Sequence, residues 1–166
     1  MSGNRTRRPP GIARWLAIAL TIVLIDQVSK QFVLLSMAPG ERLALIPGLF
    51  DLTLLFNRGA AFSMLASAAG WQRWFFIGVG VAAALFISWL LLRHAAQRLF
   101  ATALTLILGG AVGNVIDRIQ RGEVVDFLLF YQGTWYFPAF NIADSAITVG
   151  AVLLIIDEIL RVRRAR

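Results

Sequence analysis

Two carboxylates, Asp126 and Asp144, are the residues of this sequence best placed to do chemistry. Asp126 lies in a segment of β-branched and aromatic residues, and Asp144 opens a long apolar run. An ionised carboxylate at hydrocarbon depth is energetically expensive, so an acid in an apolar run is a functional-site hypothesis by default. If Asp126 folds back over the start of that run, the two acids meet and share one proton. We therefore predict that they form a catalytic pair at the outer edge of a membrane.

A carboxylate pair suits hydrolysis of a peptide bond. The ionised member acts as general base on a water molecule, and the protonated member donates to the carbonyl oxygen. The sequence has no cysteine, and its single histidine, His94, lies in an Arg-rich turn. Ser-His-Asp catalysis, Cys-His catalysis and zinc sites built from these residues therefore lack their essential groups. We expect no metal and no cofactor.

A Ser-Lys nucleophile pair is the alternative peptidase chemistry. Lys30 is the only lysine, and it would need Ser63 or Ser145 as its partner. Ser29 does not serve, because adjacent residues of a helix do not face each other. Asp26 lies four residues before Lys30, which favours a charged ammonium in an ion pair over a neutral base.

The composition indicates an integral membrane protein. Of the 166 residues, 58% are hydrophobic, and the mean hydropathy of +0.73 is far above that of a soluble domain. Since a transmembrane helix needs about 20 residues, the apolar runs predict four spans. They lie at about residues 12–35, 71–92, 99–118 and 140–160. Four spans place both termini on one side of the membrane.

The distribution of charge predicts the orientation of these spans. Cytoplasmic loops are rich in Lys and Arg, and here the basic residues concentrate at the two termini and in the loop after the second span. They are Arg5, Arg7, Arg8, Arg14, Arg93, Arg98, Arg161, Arg163, Arg164 and Arg166. Most of the acidic residues lie on or near the opposite side of the membrane. We expect cytoplasmic termini, an outward-facing site and no nucleic-acid partner, because topology accounts for the net charge of +7.

The remaining segments, residues 36–70 and 119–139, are expected to lie outside the membrane. Residues 50–54 alternate between apolar and polar types, as a strand does. The small residues at 60–69 predict a short helix at the membrane interface. The second segment is rich in β-branched and aromatic residues, so we expect it to pair with the earlier strand.

Polar residues recur at helical spacing in three of the spans, so each span has a polar face. Since lipid does not tolerate such faces, we expect them to converge on one cleft that opens outward. The three sets are Asp26, Ser29 and Lys30; Gly110, Gly113, Asn114 and Asp117; and Asn141, Asp144, Ser145 and Thr148.

Several of these residues also have structural interpretations. The i, i+4 spacing of Asp26 and Lys30 predicts an ion pair between them. Asp117 is expected to pair with neighbouring basic groups at the membrane surface. Ser145 and Thr148 are expected to bond to backbone carbonyls of their own helix. Asp144 has no basic residue within reach along its own helix, so a functional role is the stronger hypothesis for it.

Five motifs of this chain, in order, resemble lipoprotein signal peptidase, the bacterial type II signal peptidase. They are DQVSK at residues 26–30, NRGAAF at 57–62, GGAVGNVIDR at 109–118, VVDF at 124–127 and FNIAD at 140–144. The resemblance implies an all-α membrane protein with a four-transmembrane-helix bundle, a small periplasmic β-cradle and a short periplasmic helix. It also implies that residues 1–166 form a single peptidase domain in the bacterial inner membrane.

The resemblance further implies an aspartyl endopeptidase that removes the signal peptide from diacylglyceryl-modified prolipoproteins, at the bond before the lipidated cysteine. Its partners would be that substrate and membrane lipid, with globomycin as an inhibitor, and we expect a monomer. The catalytic pair carried over is Asp126 and Asp144. The supporting residues carried over are Asp26, Asn57, Gly59, Asn114, Asp117, Arg118 and Asn141.

Two functions of other classes compete with this one. A small proton-coupled transporter or channel subunit would also hold buried acids, but it needs them spread across the membrane. Here the middle stretches of the predicted spans are uncharged. An assembly factor that only packs helices through Gly109 and Gly113 would leave both Asp126 and Asp144 replaceable.

Overall fold

The computed structural model of the protein describes residues 11–59 and 70–165. This part of the chain contains four long α-helices and a small antiparallel sheet. The elements in chain order are α1 Ile12–Ser36, β1 Arg42–Ile46, β2 Phe50–Asn57, α2 Trp71–His94, α3 Arg98–Arg121, β3 Val124–Gln132, β4 Trp135–Tyr136 and α4 Ile142–Ala165.

Three of the four helices, α1, α2 and α3, are long and apolar enough to cross a membrane. They correspond to the first three predicted spans. The fourth helix, α4, has 24 residues but does not belong to this group. Asp144 lies in its first turn and Asp157 and Glu158 lie in its second half, so its uncharged stretch is shorter.

Helix α3 is central, because α1, α2 and α4 all pack against it. Its glycines allow these helices to approach closely. A Cβ atom on Gly110 would collide with the backbone oxygen of Ala143 on α4, and one on Gly113 would lie 2.6 Å from Asp26 Oδ2 on α1. The small residues of α3 therefore bring the polar faces of α1 and α4 against its own.

The sheet has the strand order β1-β2-β3-β4, with all pairs antiparallel. The predicted strand at residues 50–54 lies in β2, and its predicted pairing with the later segment is confirmed by the register with β3. This register places Asn57 opposite Val124 and Leu55 opposite Asp126. The sheet thus brings the end of β2 beside the start of β3.

The boundary between α3 and the sheet differs slightly from the prediction. The helix continues to Arg121, whereas the third span was expected to end at about residue 118. Gly122 ends it with φ of +83°, a left-handed conformation that glycine adopts at little cost. Strand β3 begins two residues later. The short helix predicted at residues 60–69 lies outside the described residues.

Candidate active site

Asp126 and Asp144 are held by different elements and joined by one buried amide. Asp126 lies on β3, and Asp144 lies in the first turn of α4. The side-chain oxygen of Asn141, just before α4, accepts the Asp144 backbone N–H at 2.9 Å, which is the N-cap interaction. The side-chain nitrogen of the same Asn141 donates to Asp126 Oδ1 at 2.7 Å. Asn141 therefore both caps α4 and helps to position Asp126.

Two further amides complete the surroundings of the acids. Asn57 Nδ2 donates to Asp126 Oδ2 at 3.1 Å, and Asn114 Nδ2 donates to Asp144 Oδ1 at 2.8 Å. Within residues 11–59 and 70–165, neither Asp126 nor Asp144 forms an ion pair. Both acids are thus held by neutral donors, which leave a carboxyl group more able to exchange a proton than a cation would.

Each of the three amides has its orientation fixed by a donor on its oxygen. Asn57 Oδ1 accepts the Gly59 backbone N–H at 3.0 Å. Asn114 Oδ1 accepts a hydrogen bond from Lys30 Nζ at 3.1 Å, and Asn141 Oδ1 accepts the Asp144 N–H. Because the oxygen of each amide is engaged, its NH₂ group faces a carboxylate.

A second pair of acids, Asp26 and Asp117, has the opposite character. Lys30 Nζ lies 2.8 Å from Asp26 Oδ2 and 2.8 Å from Asp117 Oδ2, and all three side chains are fully buried. The predicted ion pair of Asp26 and Lys30 is confirmed. Asp117 also pairs with the neighbouring basic residue Arg121 at 3.0 Å, as expected, and its side chain is completely buried.

The ion cluster of Asp26, Lys30 and Asp117 supports the backbone on both sides of the candidate pair. Asp26 Oδ1 accepts the Ala143 N–H at 2.9 Å, in the first turn of α4. Asp117 Oδ2 accepts the Val125 N–H at 3.2 Å, next to Asp126 on β3. The two elements that carry Asp126 and Asp144 are therefore tied to one charged centre between α1 and α3.

Arg118 connects the site to the segment after β2. Its Nη2 donates to the Gly59 carbonyl oxygen at 3.0 Å, and its guanidinium lies 4.9 Å from the centre of the Phe76 ring. Gly59 in turn orients Asn57. Arg118 thus acts on Asp126 through two intermediate residues.

The surroundings of Asp126 raise its pKa from an ordinary value of 3.8 to about 7. Burial is the largest cause, since only 3% of the residue is exposed, and the negative charge of Asp144 is the second. The hydrogen bonds from Asn57 and Asn141 act in the opposite direction. A carboxyl group with a pKa near neutrality is suited to both accepting and donating a proton.

The Ser-Lys alternative is not supported by this geometry. All three donors of the Lys30 ammonium are used, by Asp26, Asp117 and Asn114. Ser145 donates to the backbone oxygen of Asn141 at 2.9 Å, as predicted, whereas the Thr148 hydroxyl makes no such bond within residues 11–59 and 70–165. Ser63 lies outside the described residues.

Comparison with known proteins identifies the family of this chain. The family model for signal peptidase (SPase) II matches residues 18–160. The chain belongs to the signal peptidase II family. It is therefore a peptidase, and the three motifs that carry Asp26, Asp126 and Asp144 all fall within the matched region.

Curated relatives of this signal peptidase II chain are named lipoprotein signal peptidase. The protein of Ralstonia nicotianae is 56% identical over 163 residues, which covers 98% of this chain and 94% of the relative. That of Cupriavidus taiwanensis is 59% identical over 150 residues and covers 90% and 85%. That of Burkholderia mallei is 59% identical over 155 residues and covers 93% of both.

Solved structures give the same result for the fold. A bacterial membrane enzyme determined by the in meso method at 2.3 Å resolution is 31% identical, with a TM-score of 0.84 and coverage of 93% of both chains. A second such structure, at 1.9 Å resolution, has a TM-score of 0.77 at the same identity and covers 88% of this chain and 92% of that one. The four helices and the sheet therefore form an architecture found in solved membrane enzymes.

Two residues of the charged centre were given no role by the sequence. Gln27 Nε2 lies 3.1 Å from Asp26 Oδ2, the Gly113 carbonyl oxygen and Asp117 Oδ1, and its two N–H groups are shared among these three acceptors. Arg121 pairs with Asp117 one helical turn away. The i, i+4 spacing of Asp117 and Arg121 was a usable signal. Gln27 gave none beyond its polarity, since its role depends on how α1 packs against α3.

Proposed function

We propose that this chain removes the signal peptide from diacylglyceryl-modified prolipoproteins, at the bond before the lipidated cysteine, and that Asp126 and Asp144 are its catalytic dyad. Membership of the signal peptidase II family supports the reaction, and the names of the curated relatives support the substrate. The observation that carries the dyad is how the four acids of this site are held: Asp26 and Asp117 are neutralised by cations, whereas Asp126 and Asp144 receive hydrogen bonds only from neutral donors.

In the proposed mechanism, a water molecule lies between the two carboxyl groups, one ionised and one protonated. The ionised group removes a proton from the water molecule while the water oxygen forms a bond to the scissile carbonyl carbon. The protonated group donates its proton to the carbonyl oxygen. The resulting gem-diol collapses when the carboxyl group protonated in the first step gives its proton to the amide nitrogen, the other, now ionised, carboxylate takes a proton from one hydroxyl, and the C–N bond breaks. The new carboxyl end stays on the signal peptide and the new amine on the lipidated cysteine.

Three amides give this dyad its geometry. Asn141 donates to Asp126 and accepts from the backbone of Asp144, so it sets the relative position of the two groups. Asn57 and Asn114 each hold one further carboxylate oxygen. Preorganised donors of this kind cost no rearrangement when charge develops in the transition state.

We place the protein in the bacterial inner membrane as one domain of residues 1–166, with α4 as a fourth span and both termini in the cytoplasm. The length of α4 and its packing along α3 support the fourth span. The sheet and the acids then belong at the periplasmic face, with periplasmic segments at about residues 36–70 and 119–139. A lipidated substrate keeps its acyl chains in the bilayer there, while its peptide bond reaches the dyad.

The substrate's lipid anchor supplies much of the binding energy in this proposal, at about 0.8 kcal/mol for each buried methylene. Recognition therefore does not need many side-chain contacts. Globomycin is the expected inhibitor, and a monomer is the expected functional unit.

The experiment that tests this function uses the purified full-length protein in detergent with a precursor lipoprotein, with and without its diacylglyceryl group. We expect the lipidated precursor to be shortened on a gel and globomycin to block that change. The matched unmodified precursor should stay intact. Equal cleavage of both precursors would reject the lipid requirement, and cleavage of neither would reject the function.

A further inference from the structure

A cleft lies between α1 and α3 at the end of the bundle opposite the two candidate acids. It has a volume of about 230 Å³, and its lining includes Arg14, Trp15 and Ile18 from α1 and Arg98, Thr102 and Leu106 from α3. Arg14 precedes Asp26 by twelve residues, which is about 18 Å along a helix. The cleft is therefore separate from the peptidase site.

We propose that this cleft binds the phosphodiester headgroup of an anionic phospholipid from the membrane leaflet on that side. The proposal rests on the protein lying in a bacterial membrane and not on the Asp126–Asp144 dyad. Its first support is the charge of the two arginines, which come from different helices and border the same cleft. Guanidinium groups bind phosphate oxygens with two parallel hydrogen bonds.

No carboxylate of the described chain neutralises these arginines. The side chains of Arg14 and Arg98 make no hydrogen bond or ion pair with residues 11–59 or 70–165, and the Arg14 guanidinium lies 5.7 Å from the centre of the Trp15 ring. The first turns of α1 and α3 contain no acid. Residues 1–10 have no acidic residue in their sequence. An external anion is therefore the natural partner.

The walls of the cleft match a lipid better than a small soluble anion. Ile18, Leu106 and the ring of Trp15 supply apolar surface below the two charges. Trp15 is 4% exposed and is fixed by its Nε1 donating to the Ala95 carbonyl oxygen at 3.0 Å. A polar opening above an apolar wall fits a phosphodiester whose acyl chains continue into the bilayer.

An anionic headgroup fits better than a zwitterionic one. A zwitterionic lipid carries its own ammonium group, which competes with Arg14 and Arg98 for the phosphate and brings a positive charge to a site that already has two. A glycerol headgroup has no such cation, and the Thr102 hydroxyl, which donates to the Arg98 carbonyl oxygen at 2.8 Å, keeps lone pairs that accept from it.

Native mass spectrometry of the full-length protein, with phosphatidylglycerol or phosphatidylcholine added in detergent, tests the proposal. We expect the wild type to retain phosphatidylglycerol preferentially, and Arg14→Gln/Arg98→Gln to lose this preference by about tenfold. The matched control is Arg163→Gln/Arg164→Gln, which removes two exposed charges from the last turn of α4. Its preference should equal that of the wild type.

A second variant, Ile18→Trp, keeps both charges and fills the cleft from an exposed helix position, so it should also lose the preference. Equal losses of this preference in the two double variants would mean that diffuse surface charge binds the lipid, and would overturn the site. A wild type without the preference, or an Ile18→Trp variant that keeps it, would overturn the site as well. Displacement of the lipid by millimolar inorganic phosphate would overturn its assignment to a lipid. Since retention of lipid is the readout, the result is independent of peptide cleavage.

Discussion

Three asparagines and one lysine determine which acids of the site remain able to exchange protons. Lys30 neutralises Asp26 and Asp117, and it fixes the amide of Asn114 so that its NH₂ group faces Asp144. A lysine at this position therefore acts as a positioning residue. The chemistry is left to the two acids that no cation contacts in the described part of the chain.

Lys30→Met is expected to destabilise the protein strongly, by about 3–5 kcal/mol, because it leaves Asp26 and Asp117 buried without their shared cation. The melting temperature in detergent measures this. Adding Asp26→Asn should recover part of the loss, since Asp117 keeps Arg121 as a partner. A Lys30→Met protein with a normal melting temperature would contradict the role of Lys30 as the shared cation of Asp26 and Asp117.

The raised pKa of Asp126 predicts how stability depends on pH. The unfolded residue ionises near its ordinary value of 3.8, and the folded residue ionises near 7. Protonation is thus favoured by folding, so the stabilisation from this group is complete below about pH 4 and is lost as the pH rises through about 7.

Thermal unfolding of the wild type and of Asp126→Asn between about pH 4 and pH 8 tests this dependence. The melting temperature of the wild type should fall more than that of Asp126→Asn as the pH rises, because the asparagine cannot ionise. Asp51→Asn is the control, since Asp51 lies on the neighbouring strand β2 and pairs with Arg42. Parallel curves for the wild type and Asp126→Asn would contradict the raised pKa.

At the scale of elements, the site depends on how closely α3 approaches α1 and α4. Gly110→Val should destabilise the protein by about 1–3 kcal/mol, because its side chain would collide with the Ala143 backbone and displace the first turn of α4. Loss of cleavage should accompany the lower melting temperature, since that turn holds Asp144.

The matched control for this prediction is Gly78→Val on α2. No atom lies within 4 Å of the position that its Cβ would occupy, so the same substitution in a helix of similar length meets open space. Equal effects of Gly110→Val and Gly78→Val would mean that helix propensity, and not the approach of α4, is responsible.

The helices, one strand and the candidate acids could be predicted from the sequence. Hydropathy indicates α1, α2 and α3 because lipid selects long apolar runs, and period-two alternation indicates β2. Strand β1 could not be found in this way, because both of its faces are exposed and its residues need no alternation. The contact of Asn57 with Asp126 could not be predicted from the sequence either, since it depends on the register of β2 against β3.

For the molecule as a whole, the main feature is that its two ends carry different charged residues. Four acids, Asp26, Asp117, Asp126 and Asp144, lie in one network where α3 meets the start of α4 and the sheet. Arg14 and Arg98 lie at the far ends of α1 and α3. A proton relay requires acids distributed across the membrane, so this arrangement does not favour a transporter. It suits an enzyme that acts at one surface.

Cleavage of a diacylated precursor by purified Asp126→Asn and Asp144→Asn is the most direct test of the dyad. Both variants should stay folded and inserted yet lose at least about a thousandfold in rate, since each lacks one of the two proton-transfer groups. Asp157→Asn, on the same helix as Asp144 but near its other end, should cleave like the wild type. Near-normal cleavage by either Asp126→Asn or Asp144→Asn would contradict the account.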